Sequence, residues 1–281
     1  MEIVRTVAEL RTWSRAVHRV PGQNIGLVPT MGALHAGHSS LIRAARAACS
    51  HVVVSLFVNP TQFGPNEDYS RYPRAFEADC KRAAAEGAGV LFAPAIEEMY
   101  PAGAVTFVEL EGLGNRLDGW SRPGHFRGVA TVVAKLFVAA EPDFAFFGQK
   151  DAAQVAVLRR MVADLRFETE IVVCPIVRDA DGLALSSRNA YLSAEQRTDA
   201  LALSRALREV EFLVAQRERR SQALIDTAHR ILASVVDLRI DYVALVEWAT
   251  LEPLETAVPG ALFAIAAWVG GTRLIDNTIL S

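Results

Sequence analysis

Cysteine, lysine, net charge and long hydrophobic runs are all scarce in this 281-residue chain, and each scarcity removes a class of explanation. The three cysteines, Cys49, Cys80 and Cys174, lie far apart and form no C-x-x-C pair, which argues against a disulfide framework or a cysteine-rich zinc site. Cys174 ends the apolar run Ile171-Val172-Val173 and reads as a small buried side chain. A net charge of −3 gives no electrostatic drive toward nucleic acid or an anionic membrane. The longest apolar stretches, 129–140 and 261–269, are too short, or interrupted by Lys135, to span a bilayer. Residues 1–11 carry charges throughout and lack the apolar core of a secretory signal, so a cytoplasmic protein is expected. The P-loop G-x-x-x-x-G-K-[ST], a clear G-x-G-x-x-G and the G-x-S-x-G elbow are also missing, which argues against P-loop ATPases, ordinary dehydrogenases and α/β-hydrolases. Lysine is the last shortage: Lys81, Lys135 and Lys150 are all there are among 29 cationic residues. Where arginine is the habitual choice, a retained lysine marks a place where a compact point charge could be needed.

What remains is the composition of a soluble chain with a sizeable core, 51% hydrophobic and 22% charged, long enough for one large domain or two unequal ones. Its first two-thirds alternates strand-like and helix-like segments. An apolar run at 24–29 stops at Pro29, a small-residue turn (30–33) follows, and a helix is expected from about His38 to Ala48, with Leu41, Ile42 and Ala45 on one face. The β-branched run His51–Val58 reads as a strand buried on both faces. Asn59-Pro60 opens a polar loop to Arg74, and a helix is expected at about 76–86. Strands follow at Val90–Phe92, Thr106–Leu110, Phe144–Phe147 and Glu170–Val177, with helices near 128–140 and 151–165. This order predicts an α/β domain with a doubly wound parallel sheet. The last third differs. Ser193-Ala194-Glu195-Gln196 is a capping box opening a helix to about Gln216, a second helix covers 221–236, and strands at 239–247 and 261–269 lead through a Gly270-Gly271 hairpin turn to Thr272–Ile275. The boundary is placed near residue 178, giving a larger domain at 1–178 and a smaller α+β domain at 179–281. Arg217-Glu218-Arg219-Arg220 reads as a solvated linker between helices.

In an open parallel sheet, ligands bind beyond the carboxyl ends of the strands, and four such places hold unusual chemistry. His35-Ala36-Gly37-His38 sets two imidazoles at a helix start, where Gly37 lets a ligand reach the backbone and free N–H groups with the helix dipole favour an anion. A capping pair or a metal site are the alternatives, although no third zinc ligand is supplied nearby. Asn59-Pro60-Thr61-Gln62 puts amides at a strand end. Gln62 could both donate to and accept from hydroxyls or carboxylates, yet the segment also reads as plain turn chemistry. At Gly148-Gln149-Lys150-Asp151 a lysine opposes the helix dipole, which a bound phosphate would explain, and Gln154 projects near the same mouth. Leu185-Ser186-Ser187-Arg188-Asn189 offers two hydroxyls and a guanidinium suited to phosphate oxygens, or simply a hydroxyl turn with a surface arginine.

Taken in order, the stretch from Pro29 to His38, Phe57-Val58-Asn59-Pro60-Thr61-Gln62-Phe63, Phe146-Phe147-Gly148-Gln149-Lys150-Asp151 and Leu185-Ser186-Ser187-Arg188-Asn189 resemble the blocks of the pantoate–β-alanine ligase family. The H-x-G-H form alone is shared across the nucleotidylyl-transferase superfamily; the combination is specific, and the resemblance covers essentially the whole chain. It implies a Rossmann-like nucleotidylyl-transferase fold whose smaller C-terminal domain closes over the active site. It also implies ATP-dependent ligation of (R)-pantoate and β-alanine through a pantoyl adenylate, releasing AMP and pyrophosphate. By the same resemblance His35, His38 and Lys150 are catalytic, with His38 the proton donor. Met31, Gly37, His38, Gly148, Lys150, Asp151, Val177, Leu185, Ser186, Ser187 and Arg188 bind ATP, and Gln62 and Gln154 bind pantoate, Gln62 touching β-alanine too. Mg²⁺ is expected through the ATP phosphates rather than through protein ligands, and the family is typically a homodimer. Gln149, Leu185 and Ala153 depart from commoner residues of the family without removing a named catalytic group. His125 and Arg127 are left open as further polar contacts. An adenylyltransferase acting on a phosphorylated acceptor is the runner-up, but it gives the C-terminal hundred residues no purpose. An aminoacyl-tRNA synthetase is disfavoured by the acidic chain and the lack of room for an anticodon-binding domain. A non-catalytic ATP sensor does not account for the complete set of polar groups.

Overall fold

A computed structural model of the chain describes residues 1–65 and 67–281. They form two compact units, one of residues 1–148 and 157–174, the other of 149–156 and 175–281.

In the first unit, the strands β1 (Glu2–Val4), β2 (Ile25–Thr30), β3 (His51–Leu56), β4 (Val90–Phe92), β5 (Phe144–Gly148) and β6 (Glu170–Cys174) make one sheet in the order β1-β4-β3-β2-β5-β6, and every pairing is parallel. The doubly wound α/β expectation holds. The order reverses at β2, whose neighbours are β3 and β5, so the turn after β2 lies at the switch point where such sheets bind ligands. The helices are α1 (Val7–His18), α2 (Ala36–Ala48), α3 (Phe76–Ala85), α4 (Ile96–Met99), α5 (Asp118–Ser121) and α6 (His125–Ala140). Helix α7 (Ala152–Leu165) has its first turn in the second unit and the rest in the first. Leu41, Ile42 and Ala45 on α2 are buried with Val28, Val54 and Phe146 in one core cluster, as their spacing predicts.

Several boundaries move for physical reasons. Strand β6 stops at Cys174 instead of Val177, because Pro175 has no N–H to offer a ladder. Cys174 is buried as expected, and burial pushes its thiol pKa up. The polar loop after β3 contains single 3₁₀ turns at Pro60–Gln62 and Asp68–Ser70; Asn66 lies outside the described residues. Thr106–Leu110 is not a strand: it joins no ladder. Its Val108 N–H donates to the Thr131 hydroxyl (2.9 Å), and Phe107 lies under the Arg127 guanidinium, 3.7 Å from the ring centroid. A cation thus covers an apolar residue of the segment read as a short strand. Strand β1 and helix α1 precede the first segment read from the sequence, although Thr6-Val7-Ala8-Glu9 is a capping box and forms one in the structure.

In the second unit, α8 (Ala194–Ala215) and α9 (Ser221–Ala233) pack on each other and on an antiparallel sheet in the order β7 (Leu238–Val246), β8 (Leu262–Val269), β9 (Thr272–Ile279). Ser193 and Gln196 form the expected capping box. Gly270-Gly271 makes the two-residue hairpin turn, with Val269 paired to Thr272. Leu203, Leu207, Leu224, Phe263 and Ile265 centre the core. In the linker before α9 Arg220 is paired with Glu218 and its side chain is 80% exposed, as a solvated linker requires. Among the described residues no helix is long and apolar enough to cross a membrane.

Candidate active site

The turn from β2 to α2 is organised by three side chains. Thr30 at the end of β2 donates its hydroxyl to Ser55 O (2.7 Å) and accepts from Gly32 N (3.2 Å). Ala33 adopts the left-handed conformation (φ 51°), which is unfavourable for a residue with a Cβ. The carboxylate of Asp79 on α3, only 3% exposed, holds it there: one oxygen accepts from Ala33 N (2.8 Å) and the other from Leu34 N (2.7 Å). His35 then becomes the N-cap of α2.

The two histidines form a reciprocal cap. His35 Nδ1 accepts from Gly37 N (3.1 Å), and His38 Nδ1 accepts from His35 N (3.3 Å). The ring centroids are 4.2 Å apart. An Nδ1 facing a backbone N–H must be the unprotonated nitrogen, so each neutral ring carries its proton on Nε2. The capping and phosphate readings of these residues are therefore compatible: capping uses one nitrogen of each ring and fixes the other as a donor at a helix N-terminus, where anions are favoured.

Gln62 lies in the 3₁₀ turn after β3 and is buried. Its Oε1 accepts from Asn59 Nδ2 (3.1 Å), and its Nε2 donates to Met31 Sδ (2.9 Å), so the structure brings these two candidates together. Asn59 is itself fixed: its Nδ2 also donates to Gly128 O, while its Oδ1 accepts from Thr61 N, the Thr61 hydroxyl and the Tyr100 hydroxyl. The Gln62 carbonyl accepts from His125 Nδ1 (2.9 Å) and Arg122 Nη2 (3.2 Å). Arg122 Nη1 donates to His125 Nε2 (3.0 Å), and Arg122 also pairs with both oxygens of Glu67. Burial, and then the neighbouring Arg122 charge, holds the His125 pKa down at about 4, so the ring is neutral. Burial raises the Glu67 carboxyl, but the hydrogen bonds and charge of Arg122 override it and leave Glu67 below its ordinary range. A cavity of about 130 Å³ opens beside Gln62, lined among others by Phe107, His125 and Arg127.

The second unit holds the other candidates except Gly148, which ends β5 in the first. Lys150 lies in the 3₁₀ turn Gln149–Asp151 that precedes α7, its Nζ 3.4 Å from Asp151 Oδ1. This loose pair offsets part of the conflict between the cation and the helix dipole without a phosphate. The turn is tied to β9: Asn277 Nδ2 donates to Gln149 O (3.0 Å) and Lys150 O (2.9 Å). Ser186 caps the 3₁₀ segment Ser187–Tyr191, its hydroxyl accepting from Arg188 N (3.3 Å), so the turn alternative is realised structurally. Leu185 N donates to Val177 O (2.9 Å), which sets these two candidates side by side. Just ahead, Arg178 pairs with Asp276 through both terminal nitrogens (2.6 and 2.9 Å) and donates to Gly182 O. Gln154 lies in the first turn of α7 and is half-buried.

Asp79, Arg122 and Asn277 are the residues that sequence reasoning passed over. Asp79 looks like an ordinary acidic residue of a helix first turn, and its partners are 45 and 46 positions away. Only Asp276-Asn277 left a trace, as two polar residues in succession within an otherwise strand-like run. Among the described residues no group of three or more His, Cys, Asp or Glu side chains is arranged to hold a metal ion.

The sequence model of the pantoate-beta-alanine ligase family matches residues 2–279. The chain is 56% identical over 290 residues to the pantothenate synthetase of Acidobacterium capsulatum, covering all of this chain and 97% of that one. It is 54% identical over 280 residues to the pantothenate synthetase of Koribacter versatilis, covering 100% and 96%. The crystal structure of pantothenate synthetase from Thermus thermophilus superposes with a TM-score of 0.93 at 48% identity, covering 99% of each chain. That of pantoate-beta-alanine ligase from Francisella tularensis, complexed with beta-gamma ATP and beta-alanine, does so with a TM-score of 0.81 at 34% identity, covering 99% and 97%. From end to end, then, this chain belongs to the pantoate–β-alanine ligase family.

Proposed function

We propose that this protein joins (R)-pantoate and β-alanine into pantothenate at the expense of ATP, releasing AMP and pyrophosphate. Relatives named pantothenate synthetase match its full length, and a pantoate-beta-alanine ligase among them was crystallised with beta-gamma ATP and beta-alanine. In the first step a pantoate carboxylate oxygen attacks the α-phosphorus and pyrophosphate leaves. In the second, the β-alanine amine attacks the acyl carbon, AMP leaves with the bonding pair, and the nitrogen loses a proton.

The first step needs positive charge and donors where negative charge builds on the phosphoryl oxygens. The observation that carries the assignment is the imidazole cap of α2, with each Nδ1 spent on the backbone and each proton held on Nε2. His35 and His38 are read as phosphate donors, His38 giving a hydrogen bond from Nε2–H to the departing oxygen as negative charge builds there. Lys150, Ser186, Ser187 and Arg188 are assigned to the phosphates, and Met31, Gly37, Gly148, Asp151, Val177 and Leu185 to the nucleotide. Gln62 and Gln154 are assigned to pantoate, whose hydroxyls suit neutral amides, with Gln62 also meeting β-alanine. The second step is positioning of two bound reactants while water is kept from an acyl adenylate. Mg²⁺ fits this donor set as an ion carried on the ATP phosphates, since it keeps several waters and needs few protein ligands; it would supply charge neutralisation there. A homodimer, a cytoplasmic location and domains at 1–178 and 179–281 complete the reading. Purified protein should form AMP continuously only with pantoate and β-alanine both present, while pantoate alone should support pyrophosphate exchange; turnover with phosphopantetheine and none with pantoate would refute it.

A further inference from the structure

Asp276 and Asn277 stand side by side on β9, each 3% exposed. Buried polar side chains are costly unless their hydrogen bonds are made, and these two make theirs to the segments that carry Lys150 and the Ser186–Arg188 loop. Asp276 accepts both terminal nitrogens of Arg178, at the start of the hairpin that leads into Leu185. Asn277 donates to the carbonyls of Gln149 and Lys150, and Gln149 Nε2 donates back to Asn277 Oδ1 (3.3 Å).

Lys150 needs such holding. It lies where the α7 dipole repels a cation, and the side chain of its partner Asp151 is 46% exposed, so that pair contributes little. We propose that Asn277 is the positioning residue for Lys150: it fixes the backbone of the Gln149–Lys150 turn and thereby where Nζ offers its charge. The proposal rests on the reading of Lys150 as a phosphate contact. Position 277 calls for an amide, because one planar group must give two hydrogen bonds and take one. An aspartate would turn oxygens toward two carbonyl oxygens, and a leucine would strand both carbonyls.

The scarcity of lysine makes a direct test simple. Labelling with [¹⁵N]lysine gives three backbone amide signals, and Lys81 on α3 and Lys135 on α6 lie in the first unit as internal controls. In Asn277→Ser the Lys150 signal should shift while the other two stay. In the same variant the KM for ATP in pantoate-dependent pyrophosphate exchange should rise roughly 10- to 100-fold, the scale of a small misplacement, with a smaller fall in kcat. In a Lys150→Ala background the same substitution should add less than about two-fold, since residues acting through one another are not additive. An unmoved Lys150 signal, or effects that multiply in the double variant, would overturn the proposal. If the signal moves but Lys150→Ala alone exchanges normally, the phosphate role of Lys150 falls and the anchoring of its turn stands. Should Asn277→Ser not fold, Asn277→Gln, which keeps the amide but moves it by one methylene, reads the same signal and the same KM.

Discussion

The two units anchor their key turns with opposite chemistry. Before α2 the exposed polarity of the backbone is N–H, and a buried carboxylate, Asp79, gathers two of those groups. Before α7 it is C=O, and a buried amide, Asn277, reaches two carbonyls. The charge of the working groups is arranged in the reverse sense: neutral imidazoles follow the anionic anchor, and a lysine sits on the neutral one. In neither place does the anchor neutralise the group it positions. An Asp at 277 would set its carboxylate against the Gln149 and Lys150 carbonyls, and a cationic anchor at 79 would leave Ala33 and Leu34 N–H without acceptors.

The sharpest way to break this comparison is to remove the working groups and leave the anchors. Lys150→Ala and His38→Ala should each lower pantoate-dependent pyrophosphate exchange roughly 100- to 1000-fold, with circular dichroism unchanged; near-normal exchange removes that residue from its role. Exchanging the anchors' chemistry comes next. Asn277→Asp buries a carboxylate beside Asp276 and against two carbonyls, and should cost about 3–5 kcal/mol in urea denaturation. Asp79→Asn keeps one of two acceptors and should cost about 1–3 kcal/mol. Equal losses would mean that charge is not what distinguishes the two sites.

These anchors also mark where sequence reading ran out. The H-x-G-H turn, the lysine against a dipole and the Ser193 capping box are local signals, each written within a few residues. Asp79 meets Ala33 and Leu34 across 45 and 46 positions, and Asn277 meets Lys150 across 127; no spacing rule reaches that far. Thr106–Leu110 failed for a related reason: its residues suit a strand, but a strand also needs a neighbour, and Phe107 found a guanidinium instead.

Two smaller tests extend the comparison beyond the anchors. His125 is held neutral under Gln62 with a pKa lowered from 6.5 to about 4. The unfolded chain therefore binds the extra proton first, so this contribution to stability is present above pH 6.5 and is lost as pH falls toward 4. The loss is on the order of 3 kcal/mol. Denaturation midpoints from pH 7 to 4 should show it, and His125→Asn, which keeps a donor for Gln62 O, should give a shallower acid limb. The last tests concern two glycines. A Cβ at Gly128 would stand 2.3 Å from Thr61 O, a backbone atom of the turn that carries Gln62. Gly128→Ala should cost about 2–3 kcal/mol and raise the KM for pantoate. At Gly270 the Cβ would meet the end of the Gln196 side chain, also at 2.3 Å, and that side chain can swing away only by giving up its capping bond to Ser193 N. The left-handed φ of 54° and the lost capping bond then set the penalty for Gly270→Ala at about 1–2 kcal/mol, read as a drop in Tm with activity kept.

The reciprocal cap on α2 has a consequence for which substitutions each kind of selection would accept. An N-cap is satisfied by any side chain with a suitably placed acceptor, and Asn, Asp and Ser all serve. A library at position 35 screened for folding should therefore return several residues. The same library screened for turnover should return histidine, because of these only imidazole accepts on one edge and donates from the opposite one. The gap between those two lists would measure, residue by residue, how much of this helix start is scaffold and how much is reagent.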